Sequence, residues 1–106
     1  MAEEESIKLG GNIELTGFNS LNGGDMVVIK KIVGNYVRKI EGMCKDFNGL
    51  KLRLKPLHKT EDKVKKFELH GQIIDGGQVY PAEVVEHNVF VGIDSVCKKL
   101  VSEISG

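Results

Sequence analysis

The chain has no excess of charge of either sign: 15 lysines and arginines meet 15 aspartates and glutamates, for a formal net charge of zero. That balance excludes a uniformly basic chain that coats nucleic acid by charge alone, although it leaves room for a local basic patch. No apolar run approaches the ~18 residues of a membrane span. The start, "MAEEES", is acidic and does not have the pattern of a signal peptide. The only cysteines, Cys44 and Cys97, have no Cys-x-x-Cys spacing, so no disulfide framework is expected. Each falls on an apolar helix face and reads as a core thiol, which suits a reducing cytosol. His58, His70 and His87 have no metal-ligand spacing with one another or with the cysteines. Gly-x-Ser-x-Gly, a P-loop and a dinucleotide fingerprint are all missing, and the glycine-rich "LNGGD" and "DGGQ" read as turns. The sequence therefore predicts no metal, no cofactor, no small-molecule substrate and no nucleophile–base pair.

What is present is strongly patterned. The 106 residues, 41% apolar and 28% charged, suit one globular domain. Residues 1–11, with Glu3, Glu4 and Glu5, read as a mobile acidic tail, and residues 12–106 as a single α+β domain. "NIELTG" alternates Ile13 and Leu15 against polar neighbours and predicts a short strand. After a Gly/Asn/Ser loop, Asp25 offers an N-cap for a long helix. Along it Ile29, Ile32, Val33, Tyr36, Val37, Ile40, Met43, Cys44 and Phe47 gather into one stripe at ~100° per residue. "NG" at Asn48–Gly49 marks its end.

The next stretch, "GLKLRLKPLHK", puts Leu50, Leu52 and Leu54 on one face of a strand and Lys51, Arg53 and Lys55 on the other. Pro56 should stop that strand, leaving "HKTEDK" as a polar loop. "KKFELHGQII" alternates again, "DGG" is a hairpin turn signal, and "QVYPAEVVE" is a further strand. Pro81 assigns that strand to a sheet edge. Asn88 caps a last helix with Val89, Ile93, Val96, Cys97, Leu100 and Ile104 on its apolar face.

The predicted order is β-α-β-β-β-α: a four-stranded mixed sheet with two helices packed on one face. The first helix is a crossover between parallel strands, and the last three strands form an antiparallel meander. The other face would be open, carrying Lys51, Arg53 and Lys55 beside Lys66, Glu68, His70 and Gln72. The aromatics among the basic residues, Tyr36 and Phe67, lie on apolar faces and read as core, so no stacking platform for single strands is predicted.

Cations fall in three clusters. One is the strand row Lys51, Arg53, Lys55. A second is His58, Lys59, Lys63, Lys65 and Lys66 in the following segment. The third is Lys31, Arg38 and Lys45 at seven-residue spacing, opposite the apolar stripe, with Lys30 and Lys39 beside them. Solvated cations on open faces are the ordinary reading, and edge lysines also discourage aggregation. Three like charges down one strand repel unless anions approach, and a phosphate backbone supplies such anions.

The strand ending "LTGFN", the helix end "YVRKIEGMCKDF", the Gly–Gly hairpin before the last strand and the final helix "NVFVGIDSVCKKLVSEI", with its Lys99–Leu100 pair, occur in an order that resembles the ribosome hibernation factors, also called ribosome-associated translation inhibitors. The resemblance covers roughly residues 12–104. The helix entry "NSLNGGDM" departs from the family's usual Thr-capped start. The resemblance implies a short form, without the C-terminal domain by which longer members pair ribosomes. It implies a non-enzymatic, cytoplasmic protein that binds rRNA of the small ribosomal subunit, blocks the mRNA and tRNA channel and represses translation under stress. By the same resemblance, Lys31, Arg38, Lys45, Lys98 and Lys99 contact rRNA phosphates. Lys30, Lys39, Lys51, Arg53, Lys55 and Lys59 join them on the argument from charge. A monomer is expected. A second reading is a protein–protein module that uses the open sheet face or the edge strand; a third, a small enzyme, has no motif to support it.

Overall fold

The computed structural model describes residues 6–10, 12–19, 21–60 and 63–106, with backbone alone at 58–60 and 63–65. The elements are β1 (Ser6–Lys8), β2 (Ile13–Thr16), α1 (Gly23–Met43), β3 (Phe47–Thr60), β4 (Lys63–Asp75), β5 (Gln78–Glu86) and α2 (Val89–Ser105). They build one five-stranded mixed sheet in the order β1-β2-β3-β4-β5. β2 and β3 are parallel, as a helical crossover requires. The β3–β4–β5 meander is antiparallel.

The α+β class and the two helices agree with the sequence reading, but the sheet has five strands rather than four. The extra strand, β1, lies in the segment assigned to a tail. It pairs antiparallel with β2, Ile7 opposite Leu15, and the Ser6 and Thr16 hydroxyls hydrogen-bond at 3.0 Å. The acidic residues Glu3, Glu4 and Glu5 lie outside the described residues.

Asn22, not Asp25, caps α1: its side-chain oxygen accepts from the Asp25 backbone N–H at 2.7 Å. Both residue types make good caps, but Gly23 and Gly24 can enter the helix, so it starts three residues early. It also ends early. Cys44 is the C-cap, and Phe47 opens β3 instead of closing the helix. Asn88 caps α2 as expected, accepting from the N–H groups of Phe90 and Val91.

β3 and β4 are longer than predicted. β3 runs through Pro56, which faces Phe67, and continues to Thr60, which faces Lys63. Pro56 is tolerated because the last β2 partner is Thr16, opposite Arg53. Beyond that point β3 is an edge strand, where a missing N–H breaks no ladder on that side. Of the expected polar loop, residues 58–60 and 63 are strand, and residues 61 and 62 lie outside the described residues. Pro81 lies in β5, which pairs only with β4 and is an edge.

The core forms between the sheet and the helices. Leu15, Leu50, Leu52, Leu54, Leu69 and Ile73 project from the sheet, and Ile29, Val33, Val37 and Ile40 from α1. Ile93, Val96, Cys97 and Leu100 complete it from α2. Phe18, in the loop after β2, is fully buried as well. Two glycines set how closely α2 approaches. A Cβ on Gly92 would lie 2.5 Å from Leu69 Cδ1, and one on Gly71 would lie 2.9 Å from both Leu52 and Leu100. Gly71 faces the helices at a position where alternation calls for an apolar side chain, and Leu100 occupies that space. Tyr36 and Phe67 are half-buried against this core.

Candidate nucleic-acid interface

α1 presents its cations where the apolar stripe requires. Ile29, Val33, Val37 and Ile40 turn inward, so Lys31 and Arg38 project almost directly away from the core, with Lys30 and Lys39 on the flanks. All four are exposed. Seven residues at ~1.5 Å rise separate Lys31 from Arg38 by ~10 Å along the ridge. None of the four has an ion-pair partner among the described residues. Gly34 and Gly42 on the same side meet nothing within 4 Å, so the ridge is unobstructed.

Lys45 is exposed but not helical. It lies in the α1–β3 connection, where its backbone N–H and that of Asp46 donate to the Asp75 carboxylate at 3.3 and 2.7 Å. The seven-residue stripe therefore loses its third member, and Lys31 and Arg38 remain. The same carboxylate, together with burial, raises the Cys44 thiol above its ordinary pKa; burial is the larger cause. Cys44 is half-buried rather than fully in the core, whereas Cys97 is buried and pushed up to about 12, chiefly by loss of water.

On α2 both cations are engaged. Lys98 Nζ lies 3.1 Å from Asp94 Oδ2, one turn earlier. Lys99 Nζ donates to the Glu83 carbonyl on β5 at 3.1 Å. Asp94 also accepts from the Tyr36 hydroxyl at 2.6 Å. These two bonds, Tyr36 first, hold the Asp94 carboxyl below its ordinary range.

The strand row lies on the opposite side of the molecule. Lys51, Arg53 and Lys55 are exposed on the face that the helices do not cover. Register sets their neighbours: Lys51 sits between Glu14 and Gln72, Arg53 between Thr16 and His70, and Lys55 opposite Glu68. Lys8 pairs with Glu14, and His70 with Glu83. His70 Nε2 is 2.7 Å from Glu68 Oε1 and its Nδ1 is 3.3 Å from Glu83 Oε2. The Glu68 carboxyl is lowered, first by the hydrogen bond to His70 and also by the charges of His70 and Lys55. Glu14, Glu68 and Glu83 thus intersperse the cations, and this face is charge-mixed. Its central feature is a shallow depression of about 330 Å³ lined by Glu14, Thr16, Lys51, Arg53, His70 and Gln72, among others.

The fold therefore divides the candidate residues. Lys30, Lys31, Arg38 and Lys39 share the α1 side, and Lys98 and Lys99 stand on the neighbouring helix. Lys51, Arg53 and Lys55 face away from all of them, and Lys59 lies on the β3 extension. The sequence reading missed Glu14 and Glu83 as members of the sheet face. Their alternation was visible, but the register that sets them beside Lys51 and His70 is non-local. Among the described residues no group of three or more His, Cys, Asp or Glu could hold a metal ion, and no helix is long and apolar enough to cross a membrane. No sequence profile of a known protein family matches the chain, and no curated protein matches it either.

Proposed function

We propose that this chain is a cytoplasmic RNA-binding domain that associates with rRNA of the small ribosomal subunit and represses translation by occupying the mRNA and tRNA channel. The observation that carries the reading is the outer ridge of α1. Lys31 and Arg38, with Lys30 and Lys39 beside them, are exposed cations with no carboxylate in ion-pair reach among the described residues. Unneutralised cations on a rigid helix suit a phosphate backbone, where each contact releases counterions. Recognition of this kind follows RNA shape rather than base sequence. The resemblance of the final helix, and of the element order from β2 onward, to ribosome hibernation factors supports the choice of ribosomal RNA. Lys98 and Lys99 extend the surface only by giving up the partners they hold. The reading assigns the chain no catalytic step, and a monomer suffices for occupancy.

The test is co-sedimentation with ribosomes and separated subunits across a salt series. Pelleting with the small subunit at low salt and release as salt rises is the expected result. Protein that stays at the top of the gradient at low salt overturns the reading.

A second reading, a protein–protein module, is favoured by one observation. Val79 and Val85 are half exposed on β5, the edge strand, beside the charge-mixed open face. Nuclease treatment separates the two, because only the RNA reading predicts that binding disappears with the RNA.

A further inference from the structure

The two prolines of the chain, Pro56 and Pro81, both lie within strands. Backbone alternation sets which way the N–H at each position would point. The Leu50 N–H donates to the Asn12 carbonyl, on the β2 side, at 2.9 Å. Even-numbered residues of β3 therefore turn their backbone groups toward β2, and odd-numbered ones toward β4. Pro56 is even-numbered and lies past Arg53, the last residue of β3 with a β2 partner. The alternation carries across the sheet, because Lys51 faces Gln72 and Ile73 faces Tyr80. Even-numbered residues of β5 turn toward β4, and Val79, Pro81, Glu83 and Val85 turn outward. Among the described residues no strand lies beyond β5. Each proline thus removes a donor from an open edge and none from a ladder.

Lys99 acts on the same β5 edge. Its Nζ reaches from α2 to donate to the outward-turned Glu83 carbonyl at 3.1 Å. Val79 and Val85, at the two ends of the outward set, are half exposed. Antiparallel pairing of β5 with a second copy, about a two-fold axis at Ala82, would lay Val79 of one copy beside Val85 of the other. Apolar cross-strand pairs of this kind favour strand addition. The same register sets Pro81 beside Glu83. One hydrogen bond there, from the N–H at position 81 to the carbonyl at position 83, then fails at both of its ends. Proline has no donor, and Lys99 holds the acceptor. The two-fold axis repeats the loss at the centre of the ladder.

We propose that β5 is a self-complementary edge, kept from pairing with a second copy of this chain by Pro81 and Lys99 acting on one backbone hydrogen bond. Proline and lysine are both devices that blunt sheet edges, and here the fold brings them to the same rung from different elements. Restoring the donor alone leaves the acceptor occupied, and freeing the acceptor alone leaves the donor missing. The proposal is independent of the RNA reading. It also accounts for two valines left exposed on an edge strand.

The experiment is sedimentation equilibrium of the full chain over a concentration series. It compares the parent with Pro81→Val, Lys99→Met, their double, and Lys98→Met. The last removes the neighbouring charge and adds the same apolar side chain, but Lys98 pairs with Asp94 rather than with β5. The double is expected to dimerise at least about tenfold more tightly than either single variant, from two symmetric hydrogen bonds at their net value. The parent and Lys98→Met should stay monomeric. Amide hydrogen exchange in the double should slow at Val79, Glu83 and Val85 as concentration rises.

A double that keeps the parent's circular dichroism and the parent's mass overturns the proposal. So does association of Lys98→Met equal to that of the double, which would make lost charge the cause. Dimerisation of the double with exchange unchanged along β5 overturns it as well. If the double loses the parent's circular dichroism, Pro81→Thr with Lys99→Gln is held to the same criteria.

Discussion

The Tyr36 hydroxyl donates to Asp94 Oδ1 at 2.6 Å, and this bond ties α1 to α2 across a gap of 58 residues in sequence. Both partners are half-buried. The bond joins the two helices whose outer surfaces carry the proposed RNA contacts. Burial, and then Asp94, push the Tyr36 hydroxyl up to about 12. A tyrosine raised in the folded state contributes stability that is complete below its unfolded value of ~10 and is lost as pH rises through the folded value. Urea midpoints should therefore fall between about pH 10 and 12. Tyr36→Phe should remove that part of the slope and cost about 1 kcal/mol at neutral pH, since Asp94 keeps water and Lys98 as partners. An unchanged alkaline slope in the variant would mean that the bond does not form in solution.

The glycines give a test of opposite signs on two helices. Gly92→Ala in α2 would place a methyl 2.5 Å from Leu69 Cδ1, and Leu69 is fully buried. Overpacking costs ~1–3 kcal/mol, which outweighs the up to ~1 kcal/mol gained by replacing a helical glycine. A net loss of about 1–2 kcal/mol is expected. Gly34→Ala and Gly42→Ala in α1 meet nothing within 4 Å and should each gain ~0.5–1 kcal/mol. Chemical denaturation of the three variants gives the comparison, and a stabilised Gly92→Ala would contradict the close approach of α2.

His70 and Glu68, on neighbouring positions of one strand face, supply a titration that does not depend on stability. The His70 hydrogen bond is the first cause of the lowered Glu68 carboxyl. Carbon-13 NMR of the side-chain carboxyls should find Glu68 titrating below the ordinary glutamate value. His70→Ala should return it toward that value, leaving only the smaller pull of Lys55. A Glu68 titration unmoved by the substitution would show that the pair is open in solution.

The same elements show what local pattern reveals and what it hides. Nine apolar residues at helical spacing made α1 legible, and with it the outward position of Lys31 and Arg38. The row Lys51, Arg53, Lys55 was legible because alternation is a local property of a strand. β1 was not, since three residues, "SIK", are too short to show a period and form a strand only by pairing with β2. The length of β3 and β4 was hidden for a related reason. Pro56 and "HKTEDK" carry turn chemistry, and the extended pairing of Pro56, Lys59, Thr60 and Lys63 depends on a partner strand and on the end of β2. Lys45 was misplaced by one turn, because Cys44 ended the helix while the apolar period ran on to Phe47. The mixing of carboxylates among the sheet cations required the register of four strands.

That mixing makes a prediction about which cations matter. On α1, Lys31 and Arg38 have no ion-paired carboxylate among the described residues to release before they meet a phosphate. On the sheet, Lys51 and Lys55 stand beside Glu14 and Glu68, whose charges repel the same phosphate. Two substitutions of equal size in formal charge should therefore differ in effect. Lys31→Gln with Arg38→Gln should lower the salt slope of small-subunit binding by about 1.5, at ~0.7–0.9 for each of two lost contacts, and should weaken binding at moderate salt. Lys51→Gln with Lys55→Gln should leave the slope within about 0.5 of the parent. Lys98→Gln breaks an exposed pair worth ~0.3–0.5 kcal/mol and should alter stability little, so any loss of binding it causes reports RNA contact. Sedimentation of the three variants with small subunits, at matched salt, checks all of this. If the sheet pair carries the slope and the ridge pair does not, RNA meets the open face of the sheet and the helices face away from it.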